Sequence, residues 1–220
     1  MLTGEIQSQS LPWLQPDDTI GRALQLMSDN QVFQLPVVEG DKYAGMVTED
    51  DLLQVENDGS AISALPAAPD IAAVRQTDHF LRALQLAATN NWTVVPVVDE
   101  ENRLVSVVGA ADLLRCSADF LSLNQPGALI VLEMEGIQFS FNEISKLVET
   151  NDAQITQLNT STDTETGMLQ VTIKVNKPEV SDIVATFQRY EYSVKYYFGE
   201  EIYTNELRDN YENLMNYLKF

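Results

Sequence analysis

Hydrophobic and polar positions along the first 120 residues alternate in two distinct periods, and the same order of periods is written twice. Ile20, Ala23, Leu24 and Met27 stand at i, i+3, i+4 and i+7, the stripe of an amphipathic helix, and Phe80, Ala83, Leu84 and Ala87 repeat it. A β-rich apolar run follows each stripe, Phe33–Val38 and Val94–Val98, then a polar turn at residues 39–42 and 99–103. A second strand is predicted at Tyr43–Val47 and Leu104–Val108, and a short helix from Glu49 and Ala110. Asp17 or Asp18 is placed to cap the first long helix and Asp78 the second, each carboxylate accepting from an otherwise unpaired N–H. Pro36 and Pro96 lack a ladder donor, which predicts an edge or strand-start position for each.

The duplication is visible in the letters as well. RALQL occurs at Arg22–Leu26 and Arg82–Leu86, an offset of 60. LPVV at Leu35–Val38 aligns with VPVV at Val95–Val98 at the same offset, and EDDLL at Glu49–Leu53 with AADLL at Ala110–Leu114 at 61. Residues 1–60 and 61–121 are therefore expected to be two copies of one small α/β unit. Each is too small for a core of its own, so they should pack on each other.

Beyond a break at Ser122–Gly127, marked by its Pro-Gly pair, the pattern changes. Ala128–Met134 reads as a buried strand, and Ser140–Glu143 as a capping box opening a helix to about Thr150, with Phe139 and Ile144 as its staple. Ala153–Asn159 reads as a weaker strand before a Thr-rich turn. Leu169, Val171, Ile173 and Val175 alternate as a half-buried strand. Val180, Ile183, Val184 and Phe187 mark a helix with Pro178 in its first turn. Val194, Tyr196 and Phe198 alternate in a last strand. The order βαββαβ over residues 127–200 is a ferredoxin-like plan, so the fold class expected for the chain is α+β. Residues 204–220 place Leu207, Tyr211, Leu214, Met215 and Leu218 on one stripe, a C-terminal amphipathic helix predicted to pack on the same domain.

The doubled unit resembles the CBS domain, a family whose outline runs strand, helix, hydrophobic-Pro-Val-Val strand, turn, glycine-led strand ending in Thr or Ser, and an aspartate three residues on. The first copy carries Leu35-Pro36-Val37-Val38 and Gly45-Met46-Val47-Thr48-Glu49-Asp50-Asp51, and the second keeps Val95-Pro96-Val97-Val98 and Asp112. The resemblance implies a paired (Bateman) module whose clefts bind an adenosine-containing metabolite: AMP, ADP, ATP or S-adenosylmethionine. It implies ligand-binding roles for Thr48 on the ribose-phosphate side, Asp51 and Asp112 as acceptors for ribose hydroxyls, and Leu14 and Leu35 on the adenine wall. The N–H groups at the start of the following helix are expected to face a phosphate. In the second copy Ser106 replaces the leading glycine and Gly109 the Thr, so that cleft is expected to be weak, empty or altered. The βαββαβ segment resembles the ACT domain, and the combination is similar to acetoin-utilisation-type CBS–ACT proteins. Of the turn by which ACT domains bind amino acids only Gly136 is present, so edge-to-edge pairing in a homodimer is expected instead.

Charge then narrows the ligand and the partners. The chain carries 33 acidic and 13 basic residues, a formal net charge of −20, which repels nucleic acid and anionic lipid alike. With so few cations, a monophosphate, a nucleoside or S-adenosylmethionine is favoured over unaccompanied ATP. There is no long apolar run and no signal-peptide pattern, and the single cysteine, Cys116, suits a reducing compartment, so a cytoplasmic protein without a membrane segment is expected. One histidine, His79, aligned with Thr19, reads as a cap-region residue. No metal-ligand spacing, phosphate loop or nucleophile–base pair is written in the chain. The expectation is a regulatory, non-enzymatic protein that needs no cofactor or metal; the alternative is a dimerisation or interaction module with no nucleotide ligand.

Overall fold

The computed structural model describes residues 1–6, 11–66 and 72–199, in two compact units that divide at residues 118 and 119. The predicted C-terminal helix lies outside the described residues.

In the first unit the duplication is structural. Helices α1 (Ile20–Asn30) and α3 (Phe80–Asn90) begin and end 60 residues apart, and each closes on a left-handed residue, Gln31 and Asn91, both at φ 54°. Strands β1 (Gln34–Glu39) and β2 (Lys42–Thr48) form one antiparallel pair, and β4 (Val94–Val98) and β5 (Leu104–Gly109) the other. Each pair carries a register shift at the same place, Val37/Val38 and Val97/Val98. Helices α2 (Glu49–Leu53) and α4 (Ala110–Phe120) follow, the second much longer than expected. The copies meet in one cluster, where Val94, Val98 and Val107 pack with Ile20, Met27, Leu35 and Leu52, while Val74, Ala83, Ala87, Val95, Val97, Val108 and Leu113 form a second cluster within the second copy. Phe33 N–H donates to Thr93 Oγ1 at 3.0 Å, and Tyr43 N–H to Asn102 O at 2.9 Å, across that seam.

The helix caps differ from expectation. The N-caps are Thr19, whose hydroxyl accepts from Arg22 N–H, and His79, whose Nδ1 accepts from Leu81 N–H. Asp18 and Asp78, one residue earlier, instead accept from Gln15 and Arg75 N–H and pair with Arg22 and Arg82. A carboxylate one residue too early is spent on the incoming turn.

Nor are the prolines at edges or strand starts. Strand β4 is central, between the two-residue parallel strand β3 (Val74–Arg75) and β5, and Leu14 forms the equivalent parallel bridge to Val37 in the first copy. Leu14 N–H donates to Pro36 O at 2.8 Å. A residue's N and C=O point the same way across a strand, so the Pro36 ring nitrogen faces this neighbour just ahead of where its pairing starts, and no donor is demanded.

The segments that lead into the two copies are exchanged. Residues 58–62 follow the first copy's last helix yet bond back to its first: Ile20 N–H to Ser60 O, Gly21 N–H to Asp58 O and Ile62 N–H to Asp18 O, at 2.9–3.0 Å. The chain start takes that place for the second copy, with Thr3 N–H to Asp78 O at 2.8 Å and Phe80 N–H to Met1 O at 3.3 Å.

The second unit is a four-stranded antiparallel sheet: β6 (Ala128–Met134), β7 (Ile155–Thr162), β8 (Leu169–Val175) and β9 (Ser193–Phe198), in the order β7-β8-β6-β9. With helices α5 (Phe141–Glu149) and α6 (Ser181–Arg189) this is the βαββαβ ferredoxin-like arrangement. Ile144, Leu147, Val148, Ile183 and Phe187 pack on Ile130, Leu132, Val171 and Ile173. Strand β7 runs three residues past its expected end, because Asp163 makes the turn: its carboxylate accepts from Glu165 and Thr166 N–H. Those two bonds hold the Asp163 carboxyl below the ordinary carboxylate range. Pro178 lies ahead of α6 rather than in its first turn. The expected alternation of Val194, Tyr196 and Phe198 is broken by a register shift at Val131/Leu132, so that Val194 and Tyr197 face the core while Tyr196 and Phe198 are exposed. Among the described residues no helix is long and apolar enough to cross a membrane, and no group of His, Cys, Asp or Glu is placed to hold a metal ion.

Candidate functional site

Strand β2 ends where α2 begins, and the junction residues Thr48 and Asp51 bond each other. Thr48 is the N-cap: its hydroxyl accepts from Asp51 N–H at 3.1 Å, while Asp51 Oδ2 accepts from Thr48 N–H at 3.0 Å and from the Thr48 hydroxyl at 2.6 Å. This is a reciprocal capping box with Asp in the third position. It consumes the one proton of the Thr48 hydroxyl and both backbone donors, and Glu49 N–H is spent on Phe33 O at 2.9 Å. Of the donors expected to face a phosphate, the Glu49 and Asp51 N–H groups are therefore bonded within the fold. Among the described residues Asp51 Oδ1 takes none of these bonds.

Asp51 lines a cavity of about 650 Å³. Its other walls come from β1 (Val37, Glu39), β2 (Ala44–Val47), α2 and its exit (Gln54, Val55), the Pro16 loop, and Ile62, Ser63, Leu65 and Pro66 at and just past the end of the exchanged segment. The segment is fixed there by Ser63 N–H donating to Pro16 O at 2.9 Å. The walls are mainly apolar, and the polar groups on them are the carboxylates Glu39 and Asp51, the Gln54 amide and the Ser63 hydroxyl. Such a cleft suits a flat apolar ring carrying a few hydroxyls.

Thr48 and Asp51 thus come together at the cavity edge. Leu14 and Leu35 are fully buried, at 0% exposure, in the core cluster that also supplies Val37, Met46, Val47 and Ile62 to the cavity. They support the wall and are not among the residues that line it. The residues that do, above all Glu39 and Ile62–Pro66, were not singled out from the sequence. Glu39 directly follows the LPVV run and was read only as part of a turn, and the far segment is brought in by pairing over 40 residues, for which the chain carries no local mark.

The second junction is built differently. A side chain at Gly109 would have its Cβ 3.5 Å from Asp112 Oδ2 and from Leu11 Cδ1, so the place of the Thr48 side chain is open. Asp112 is only 7% exposed and is held in an ion pair by Arg115, which stands where Gln54 stands in the first copy. Where Asp51 is exposed to the cavity, Asp112 is shielded and charge-matched.

Comparison with known proteins agrees with this architecture. The CBS domain family model matches residues 4–58 and 62–119, more than half of the chain. An inosine-5'-monophosphate dehydrogenase of Methanocaldococcus jannaschii is 29% identical over 112 residues, which span 50% of this chain and only 22% of that enzyme. A solved CBS domain pair/ACT domain protein from Thermotoga maritima is 27% identical, with a TM-score of 0.50 over 55% of this chain and 99% of that one. A putative acetoin utilization protein from Vibrio cholerae is 18% identical, with a TM-score of 0.47 over 56% of this chain and 95% of that one.

Proposed function

Because the chain belongs to the CBS-domain family, we propose that its first unit is a regulatory module that binds an adenosine-bearing metabolite in the cavity beside Asp51. The observation that carries this reading is a cleft of about 650 Å³ with mainly apolar walls, on which Asp51 keeps its Oδ1 outside the capping box. Its volume falls in the usual range for small-molecule sites, roughly 300–1,000 Å³. Val37, Met46, Val47 and Leu65 would sandwich the base, and Asp51 would accept from the ribose diol through Oδ1, pre-positioned by the capping box. Thr48 acts through Asp51, as the residue that orients it.

A ligand there would touch β1, β2, α2 and the exchanged segment at once. Binding would clamp Leu65 and Pro66 against the strands and stiffen the unit, and this is the regulatory event. The protein acts in this reading as a non-catalytic sensor in the cytoplasm, as a homodimer, and needs no cofactor or metal.

Thermal unfolding of the full chain with adenosine, AMP, ATP, NAD and S-adenosylmethionine tests the reading. A ligand at 100 times its dissociation constant adds about 2.7 kcal/mol. At least one compound is expected to raise the melting temperature, and Asp51→Ala is expected to cancel the rise.

The second reading is an interaction module with no nucleotide ligand, and the shielded, ion-paired Asp112 favours it for the second cleft. Strand β9 is an edge strand whose outer side carries the exposed Tyr196 and Phe198, suited to pairing of two copies. A thermal screen flat for all five compounds, with a dimer found by sedimentation, would establish that reading instead.

A further inference from the structure

We infer that the Asp51 cleft selects among adenosine compounds by charge, accepting those whose 5′ substituent is neutral or cationic and excluding phosphates. The inference rests on the ligand-binding reading above and names the class of ligand within it. Two independent observations carry it.

The first is the sign of the walls. Glu39 and Asp51 line the cavity, and among the described residues no Lys or Arg does. Arg22, Arg82, Arg103 and Arg115 are each already paired with a carboxylate, of Asp18, Asp78, Asp99 and Asp112 respectively. A phosphate entering the cleft would lose water and meet two like charges with no counter-charge in the walls.

The second is the state of the donors. In a phosphate site the backbone N–H groups at a helix start, or a nearby hydroxyl, substitute for a missing cation. Here Thr48 N–H, the Thr48 hydroxyl and Asp51 N–H are closed into the capping box and Glu49 N–H is held by Phe33 O, so that Asp50 N–H, flanked by the Glu49 and Asp51 side chains, is what this turn keeps for an anion. The first turn of α2 adds Glu49, Asp50 and Asp51, three negative charges where an anion would need a positive field. A ribose diol needs only acceptors and finds one in Asp51. A sulfonium or ammonium group on the 5′ side would gain from Glu39 what a phosphate loses there, and S-adenosylmethionine is one compound of that class.

Calorimetric titration of the full chain with adenosine, AMP, ATP, Mg²⁺-ATP and S-adenosylmethionine tests this at low and high salt. S-adenosylmethionine and adenosine are expected to bind, AMP at least about tenfold more weakly than adenosine, and ATP more weakly still. Raising the salt from about 50 to 500 mM is expected to narrow the gap, since the discrimination is between exposed charges. Glu39→Gln is expected to raise AMP affinity several-fold relative to adenosine affinity, and a melting temperature equal to that of the wild type shows that the variant is folded. Tighter binding of AMP, ATP or Mg²⁺-ATP than of adenosine overturns the inference and leaves the ligand-binding reading standing. No binding by any of the five overturns both.

Discussion

Thr48 and Asp51 complete each other: the hydroxyl of one caps the N–H of the other, and the carboxylate of the second takes both the backbone and the side-chain proton of the first. Helix α2 has only five residues and could not persist on propensity, so this reciprocal cap holds it and with it one wall of the cavity. The same bonds leave Oδ1 outside the box, on a residue that lines the cavity.

Removing the cap should therefore be felt as stability. Thr48→Ala is expected to cost about 1 kcal/mol in urea unfolding, and Thr48→Ser close to nothing. Equal midpoints for wild type and Thr48→Ala would show that the box contributes nothing.

The second copy offers the reverse experiment. The Cβ of a residue at 109 would meet its neighbours at ordinary contact distance, so Gly109→Thr can rebuild the missing cap over Asp112. A gain of roughly 0.5–1 kcal/mol is expected from a cap and from a less flexible unfolded chain. A loss of stability would show that α4 does not accept a cap there.

In the second unit, Phe187 is fully buried and meets the Tyr192 ring edge-on at 5.7 Å. Phe187→Ala should cost about 3–5 kcal/mol. The register shift in β9 makes a finer prediction. Tyr197→Ala should destabilise more than Tyr196→Ala, although both are tyrosines of one strand, because only Tyr197 packs on the core. Equal losses would place the bulge elsewhere.

Alkaline pH should loosen both units. Burial pushes the Tyr43 hydroxyl, which donates to Ala72 O at 3.0 Å, far above its ordinary value. Burial, with the Glu143 carboxylate as a second cause, pushes Tyr192 up to about 12. The unfolded chain loses these protons first, near pH 10. Their contribution is thus complete below about pH 10 and lost as pH rises through the folded values. Unfolding followed from pH 8 to 12 should show stability falling above about pH 10, less steeply in Tyr43→Phe and Tyr192→Phe. An unchanged slope in both variants would remove these tyrosines from the cause.

Periodicity located α1, α3, β6, α5 and α6 because each presents one face to a core, and that preference is written residue by residue. Thr48 and Asp51 were singled out by the resemblance to the CBS domain, and the bonds between them are local, three residues apart. What escaped was non-local. Glu39 and the Ile62–Pro66 wall enter the site only through the fold, and Leu14 and Leu35 read as wall residues because an apolar side chain does not announce its depth. The caps were misplaced by one residue since Asp18 and Thr19 are both good caps, and the backbone angles decide between them. The β9 bulge reverses the facing of its last residues with no residue type to signal it.

The most direct test is a co-crystal of the full chain with adenosine. The account predicts the purine between Val37, Met46 and Leu65 and a ribose hydroxyl within hydrogen-bond distance of Asp51 Oδ1. Adenosine bound beside Asp112, or at any place that leaves the Asp51 cavity empty, would contradict it.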